Sequence, residues 1–113
     1  MIAQVRPSQL SDWLQAARHH GEPLVLDVRE PAELRAASVK ADGFALLNIP
    51  MGVIPPRLHE LDPKQPVACL CHHGARSMQV ANFLAQNGFT QVVNLHGGIN
   101  AWTQQRDASV PVY

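Results

Sequence analysis

A chain of 113 residues, 46% apolar and 16% charged, is sized for one compact domain over residues 1–113 that buries a core without disulfides or metals, and such a composition argues against disorder. Nine basic and nine acidic side chains cancel to a formal net charge of zero, with no basic stripe for nucleic acid and no polybasic segment for a membrane surface. No apolar run approaches a membrane span and the start, Met1–Arg6, lacks the pattern of a signal peptide, so the expected location is cytoplasmic.

The first element is a helix opening around Pro7-Ser8-Gln9, with Leu10, Trp13, Leu14 and Ala17 on one face, Ser8 as its N-cap and Gly21 as its stop. Pro23–Val28 is an apolar run that reads as a buried strand. Glu30–Arg35 predicts one or two helical turns with Pro31 in the first. Ala45–Ile49 reads as a second strand, ended by Pro50. In the mixed stretch 51–61, Pro55 and Pro56 confine any helix to the residues after them, with Leu58 and Leu61 on its buried side. Val67–Leu70 predicts the central strand, Met78–Asn87 a helix closed by Gly88, and Gln91–Leu95 another strand. Gly97-Gly98 breaks the chain before a last helix, Ile99–Gln105, and an irregular tail docks through Val110, Val112 and Tyr113. Short apolar strands alternating with helices predict an α/β fold with a mostly parallel sheet, whose ligand crevice lies outside the carboxyl ends of the strands.

Cys71 stands at one of those ends, with Asp27 near another. It opens Cys71-His72-His73-Gly74-Ala75-Arg76-Ser77, a tight loop between a buried strand and a helix. A helix start carries free N–H groups and the positive end of the macrodipole, a setting that binds anions and favours a thiolate. The layout is that of a nucleophilic cysteine. Gly74 supplies a backbone conformation that a Cβ would oppose. Ser77 caps the helix or bonds the sulfur. His72 and His73 are either exposed loop side chains or, when protonated, steer an anionic donor. The second cysteine, Cys69, shares the strand face of Cys71 at roughly 6–7 Å, too far and too parallel for a disulfide. It reads as core, and two unpaired thiols suit a reducing compartment. The cluster Cys69, Cys71, His72, His73 lacks zinc-site spacings, so neither metal nor cofactor is expected.

Four blocks in order, Leu26-Asp27-Val28-Arg29-Glu30 with Glu33-Leu34, then Asn48-Ile49-Pro50, then Cys71–Ser77, then Gly97-Gly98 with Ala101-Trp102, make the chain resemble a single-domain rhodanese, a sulfurtransferase. The resemblance implies a mostly parallel sheet of about five strands with helices on both faces. It also implies a Cys71 persulfide that carries sulfur from thiosulfate or another persulfide donor to cyanide or a thiol. Thioredoxin or a sulfur-carrier protein would then be a candidate partner. Four residues separate Cys71 from Arg76, whereas phosphatases of related fold carry one more. Arg76 either pins the loop or contacts an anionic donor. Asp27 and Arg29 would anchor the sheet end as structural support. The family's Gly-His-Ile-type turn has no counterpart in Ala36–Gly43. Two other readings stay open: a phosphatase or arsenate reductase, and a sulfur-relay or regulatory module that serves a protein partner. No face reads as a subunit interface, so a monomer is the default.

Overall fold

Five strands, every neighbouring pair parallel, form the sheet in a computed structural model that covers residues 1–113. They are β1 (Ala3–Val5), β2 (Leu24–Asp27), β3 (Ala45–Asn48), β4 (Val67–Leu70) and β5 (Val92–Leu95), in the spatial order β1-β5-β4-β2-β3. The helices are α1 (Leu10–Ala17), α2 (Pro31–Ala36), α3 (Ala75–Gln86) and α4 (Gly98–Gln105), with 3-10 turns at Pro7–Gln9, Met51–Val53 and Pro55–Glu60. No helix is long and apolar enough to cross a membrane.

Strands β2 and β4 are buried along their whole length, and apolar apart from Asp27, because both their faces are covered. Alternation divides their side chains between two cores. Val25, Ala68 and Val93, aligned across three strands, pack with Leu10 and Leu14 of α1 and with Ile99 and Trp102 of α4. Leu24, Leu26, Val67 and Cys69 face the other way, against Val80, Ala81 and Leu84 of α3. Each fully buried side chain of this size contributes about 1.5–3 kcal/mol. From β2 the chain steps outward to β3, then returns to β4 on the other side of β2 and continues toward β5. The strand order therefore reverses between β2 and β4, the place where parallel α/β sheets take ligands beyond their carboxyl ends, and Asp27 and Cys71 mark those two ends.

Several local expectations give way. Strand β1 has no counterpart among the elements expected from the sequence; it is short, at the sheet edge and mostly exposed. Ser8 is no cap: its backbone N–H donates to Gln105 Oε1 at 3.3 Å, and it lies within a 3-10 turn where Gln9 Oε1 accepts from the Arg6 N–H at 3.1 Å. Helix α1 stops at Ala17, before Gly21. Pro55 and Pro56 sit inside the first turn of the 3-10 segment rather than ahead of it, since the opening residues of a helix need no N–H donor. Ile54, directly before them, is buried, and Leu61 is buried while Leu58 is only half-buried. In the tail Val110 is buried but Val112 points outward, 66% exposed. The atypical stretch after α2 packs through Ala37, Val39 and Phe44 into the core of Trp102, where Phe44 meets the indole edge-on at 6.0 Å.

Candidate active site

Cys71 lies just past the end of β4, 1% exposed. Helix α3 begins at Ala75, three residues earlier than the apolar pattern suggests, so the loop proper is only Cys71–Gly74 and Arg76 and Ser77 belong to the first helical turn. Gly74 has φ +107°, and a Cβ there would press on the Gly97 nitrogen at 3.3 Å. That conformation turns the Gly74 N–H onto Cys71 Sγ at 3.0 Å. The N–H groups of His72, His73, Ala75, Arg76 and Ser77 have no hydrogen-bond acceptor within the protein. Two of the loop's carbonyls, by contrast, are bonded: Cys71 O accepts from the Ile99 N–H at 2.9 Å and His72 O from the Asn100 N–H at 3.2 Å. The first turn of α4 thus holds these carbonyls, leaving the loop's donors free around the sulfur. Gly98, φ +60°, sits where a Cβ would overlap the carbonyls of Cys71 and His72.

Ser77 does not cap α3. Its hydroxyl is buried, 3.2 Å from Cys71 Sγ, 2.5 Å from Asn94 Oδ1 and 3.3 Å from Gly74 O. Asn94 of β5, 1% exposed, also donates through Nδ2 to Gly74 O at 3.1 Å and to Gln4 Oε1 at 2.9 Å. One amide therefore ties both groups nearest the sulfur to the sheet. Sequence reasoning missed Asn94; its signal was an amide inside the apolar run Val92–Leu95. Cys69, on the same sheet face, is fully buried, and burial pushes its thiol pKa up, with Cys71 adding to the effect. Both cysteines are free.

On the β2 side, Asp27 and Arg29 form a buried pair. The Asp27 carboxylate accepts from Arg29 Nη2 at 2.7 Å and from its Nε at 2.9 Å. Burial works against the Arg29 charge, but the bonds to Asp27 and Tyr113 outweigh it and keep the guanidinium protonated. Its Nη1 reaches Ala37 O at 2.8 Å and Glu33 O at 3.2 Å, which fixes α2 beside the crevice. From there the Glu33 carboxylate grips Arg76 in a bidentate pair, Nη1–Oε1 2.6 Å and Nη2–Oε2 2.8 Å. Pro31 in the first turn of α2 and the Glu30 N–H bonded to Glu33 Oε1 at 3.0 Å aim that carboxylate.

Tyr113 closes the network from the tail. Its hydroxyl donates to Glu33 Oε2 at 2.7 Å, and Arg29 Nη1 donates to it at 3.2 Å. Its ring stacks on His72 at 3.9 Å and 5°, and His72 Nε2 donates to the Tyr113 main-chain oxygen at 2.9 Å. His72 is therefore held in the rim, while His73, ring to ring with it at 3.9 Å, remains exposed.

The Arg76 guanidinium, bonded to both oxygens, holds the Glu33 carboxyl well below the usual carboxylate range. Its unfolded value is near 4.3, so the pair's stabilisation is complete above that pH and fades as pH falls toward the lower folded value. The melting temperature should drop below about pH 4, and more gently in Glu33→Gln, which has no proton to take up. Equal slopes in thermal melts of the two proteins across that range would refute the assignment.

A family model described as a rhodanese-like domain matches residues 10–105. A sulfurtransferase of Allochromatium vinosum is 38% identical over 104 residues, 92% of this chain and 91% of that protein. The chloroplastic rhodanese-like/PpiC domain-containing protein 12 of Arabidopsis thaliana is 35% identical over 114 residues, 99% of this chain; the match spans only 38% of that longer protein. A crystal structure of a rhodanese-related protein from Thermoplasma volcanium superposes with a TM-score of 0.75 at 29% identity, covering 98% of this chain and 99% of the other. Together with the parallel sheet and the cysteine loop at its switch point, these matches show that the chain belongs to the rhodanese-like family, whose shared chemistry is sulfur transfer through a cysteine.

Proposed function

We propose that the protein is a sulfurtransferase that carries sulfane sulfur as a persulfide on Cys71. The observation that carries this reading is the set of free loop N–H groups beside a buried sulfur that already accepts one N–H bond. An outer sulfur added to Cys71 brings a negative charge into that ring, where preorganised donors stabilise it.

In the first half-reaction the Cys71 thiolate attacks the outer sulfur of thiosulfate or of another persulfide donor. The donor's sulfur–sulfur bond breaks and its electron pair leaves with sulfite or with a thiolate. The second half-reaction reverses the roles. A thiol acceptor, as thiolate, or cyanide attacks the outer sulfur, and Cys71 leaves as thiolate. Each half-reaction balances with donor, protein and acceptor alone, and the scheme is ping-pong. Gly74 and Ser77 serve the sulfur directly; His72, His73, Ala75 and Arg76 shape the rim; Asp27 and Arg29 support the loop's platform. A reducing, cytoplasmic setting suits two free thiols.

Intact mass measured after incubation with thiosulfate, and separately with glutathione persulfide, tests the reading. A gain of one sulfur, mapped to the Cys71 peptide and released by cyanide, is expected. Absence of the adduct with both donors would overturn it.

A further inference from the structure

Arg76 is the permanently charged cation of the Cys71–Ser77 loop, and Glu33 has taken its charge. All four acceptor positions of that carboxylate are occupied: Oε1 by the Glu30 N–H and Arg76 Nη1, Oε2 by Arg76 Nη2 and the Tyr113 hydroxyl. The Arg76 and Glu33 side chains are 33% and 19% exposed, so the pair is reachable from solvent yet partly shielded from water. The next charges inward, Asp27 and Arg29, also cancel each other. These two ion pairs thus add no net charge to the site, and the reacting thiolate adds a negative one beside them.

Resting on the sulfurtransferase reading above, we propose that Glu33 is a specificity-determining residue: by neutralising Arg76 it sets the pocket for low-charge alkyl persulfide donors over thiosulfate. Thiosulfate arrives as a dianion and leaves as sulfite, another dianion, so each step places two negative charges beside a thiolate or persulfide. An alkyl persulfide brings one charge at most and leaves as a thiolate. With Arg76 compensated, the difference in electrostatic cost between the two donors falls on the bare loop N–H groups. Glu33 touches neither reacting sulfur; it acts through Arg76.

Two measurements test this, one of them without turnover. In a Cys71→Ser background, thiosulfate affinity is read by NMR titration with and without Glu33→Gln, an isosteric change that removes the charge. Binding should tighten about fivefold, the scale of one released, partly exposed charge contact. The gain should disappear when Arg76→Leu is added and should shrink as salt rises. With Cys71 present, the ratio of kcat/KM for thiosulfate to that for 2-hydroxyethyl persulfide, a donor with no charge beyond its persulfide, should rise by a similar factor in Glu33→Gln and in Glu33→Ala, provided both melt cooperatively. Unchanged or weaker thiosulfate binding in the serine background, or an unchanged ratio in both folded variants, overturns the proposal. Absence of the Cys71 sulfur adduct with both donors, by contrast, strikes the sulfurtransferase reading and leaves the binding measurement standing.

Discussion

Cys71→Ser is expected to abolish sulfur transfer, lowering kcat/KM by at least about a thousandfold, the scale on which removal of a covalent nucleophile acts. A serine hydroxyl stays protonated at neutral pH and its oxygen cannot hold a sulfane sulfur as a persulfide. The loss should come without unfolding. The serine oxygen still meets the Gly74 N–H and the Ser77 hydroxyl, so stability should change by no more than about 1 kcal/mol. Cys69→Ser makes the opposite prediction. That thiol is fully buried among Leu26, Val67, Val80 and Leu84, and a hydroxyl there costs about 1–3 kcal/mol while the transfer chemistry survives. Urea unfolding and steady-state transfer assays on both variants separate the roles. Residual activity in Cys71→Ser within a factor of about ten of wild type would remove Cys71 from the mechanism.

The parts of the fold that announce themselves in the chain are those whose signals are local. Val67–Leu70 is apolar on both faces because it is central, and Gly74 stands where a left-handed turn is needed; both can be seen from neighbours in sequence. Edge strand β1 has no such signal, because three mostly exposed residues carry no alternation. The start of α3 is hidden for a different reason. Arg76 and Ser77 break the apolar period, since one reaches out to Glu33 and the other inward to sulfur and Asn94. Long-range pairings account for the remaining gap. The Tyr113 hydroxyl meets Glu33 across 80 positions and Asn94 meets Gln4 across 90, and no spacing rule reaches that far. Arg76 illustrates the consequence for function. Its place in the loop is readable from Cys71, but whether its charge is free depends on a carboxylate 43 residues away.

The crevice also depends on one side chain that no donor touches. Arg29 is fully buried and joins four parts of the chain: Asp27 at the end of β2, the main chain of Glu33, that of Ala37, and the Tyr113 hydroxyl. Arg29→Leu would leave Asp27, 2% exposed, with only the backbone N–H of residue 29 at 3.1 Å, and would strip Ala37 O of its side-chain donor. Breaking a buried pair from one side costs about 3–5 kcal/mol, a large share of the roughly 5–15 kcal/mol that holds a domain together. The urea midpoint should fall accordingly with the slope unchanged. Arg29→Lys should recover little, because a single ammonium cannot span a carboxylate, two carbonyls and a phenol at once. The informative companion is Asp27→Leu with Arg29→Leu. If the cost comes from the stranded carboxylate, the double variant should regain most of the lost stability, giving a coupling of about 2 kcal/mol or more in the cycle. Its transfer activity should still stay low, because the Arg29 bonds that hold the Glu33 and Ala37 carbonyls against the end of β2 are gone and the platform beside the cysteine loop shifts. Stability and activity recovering together would show that the site needs only the absence of a stranded charge, and would remove Arg29 as the tie that positions α2.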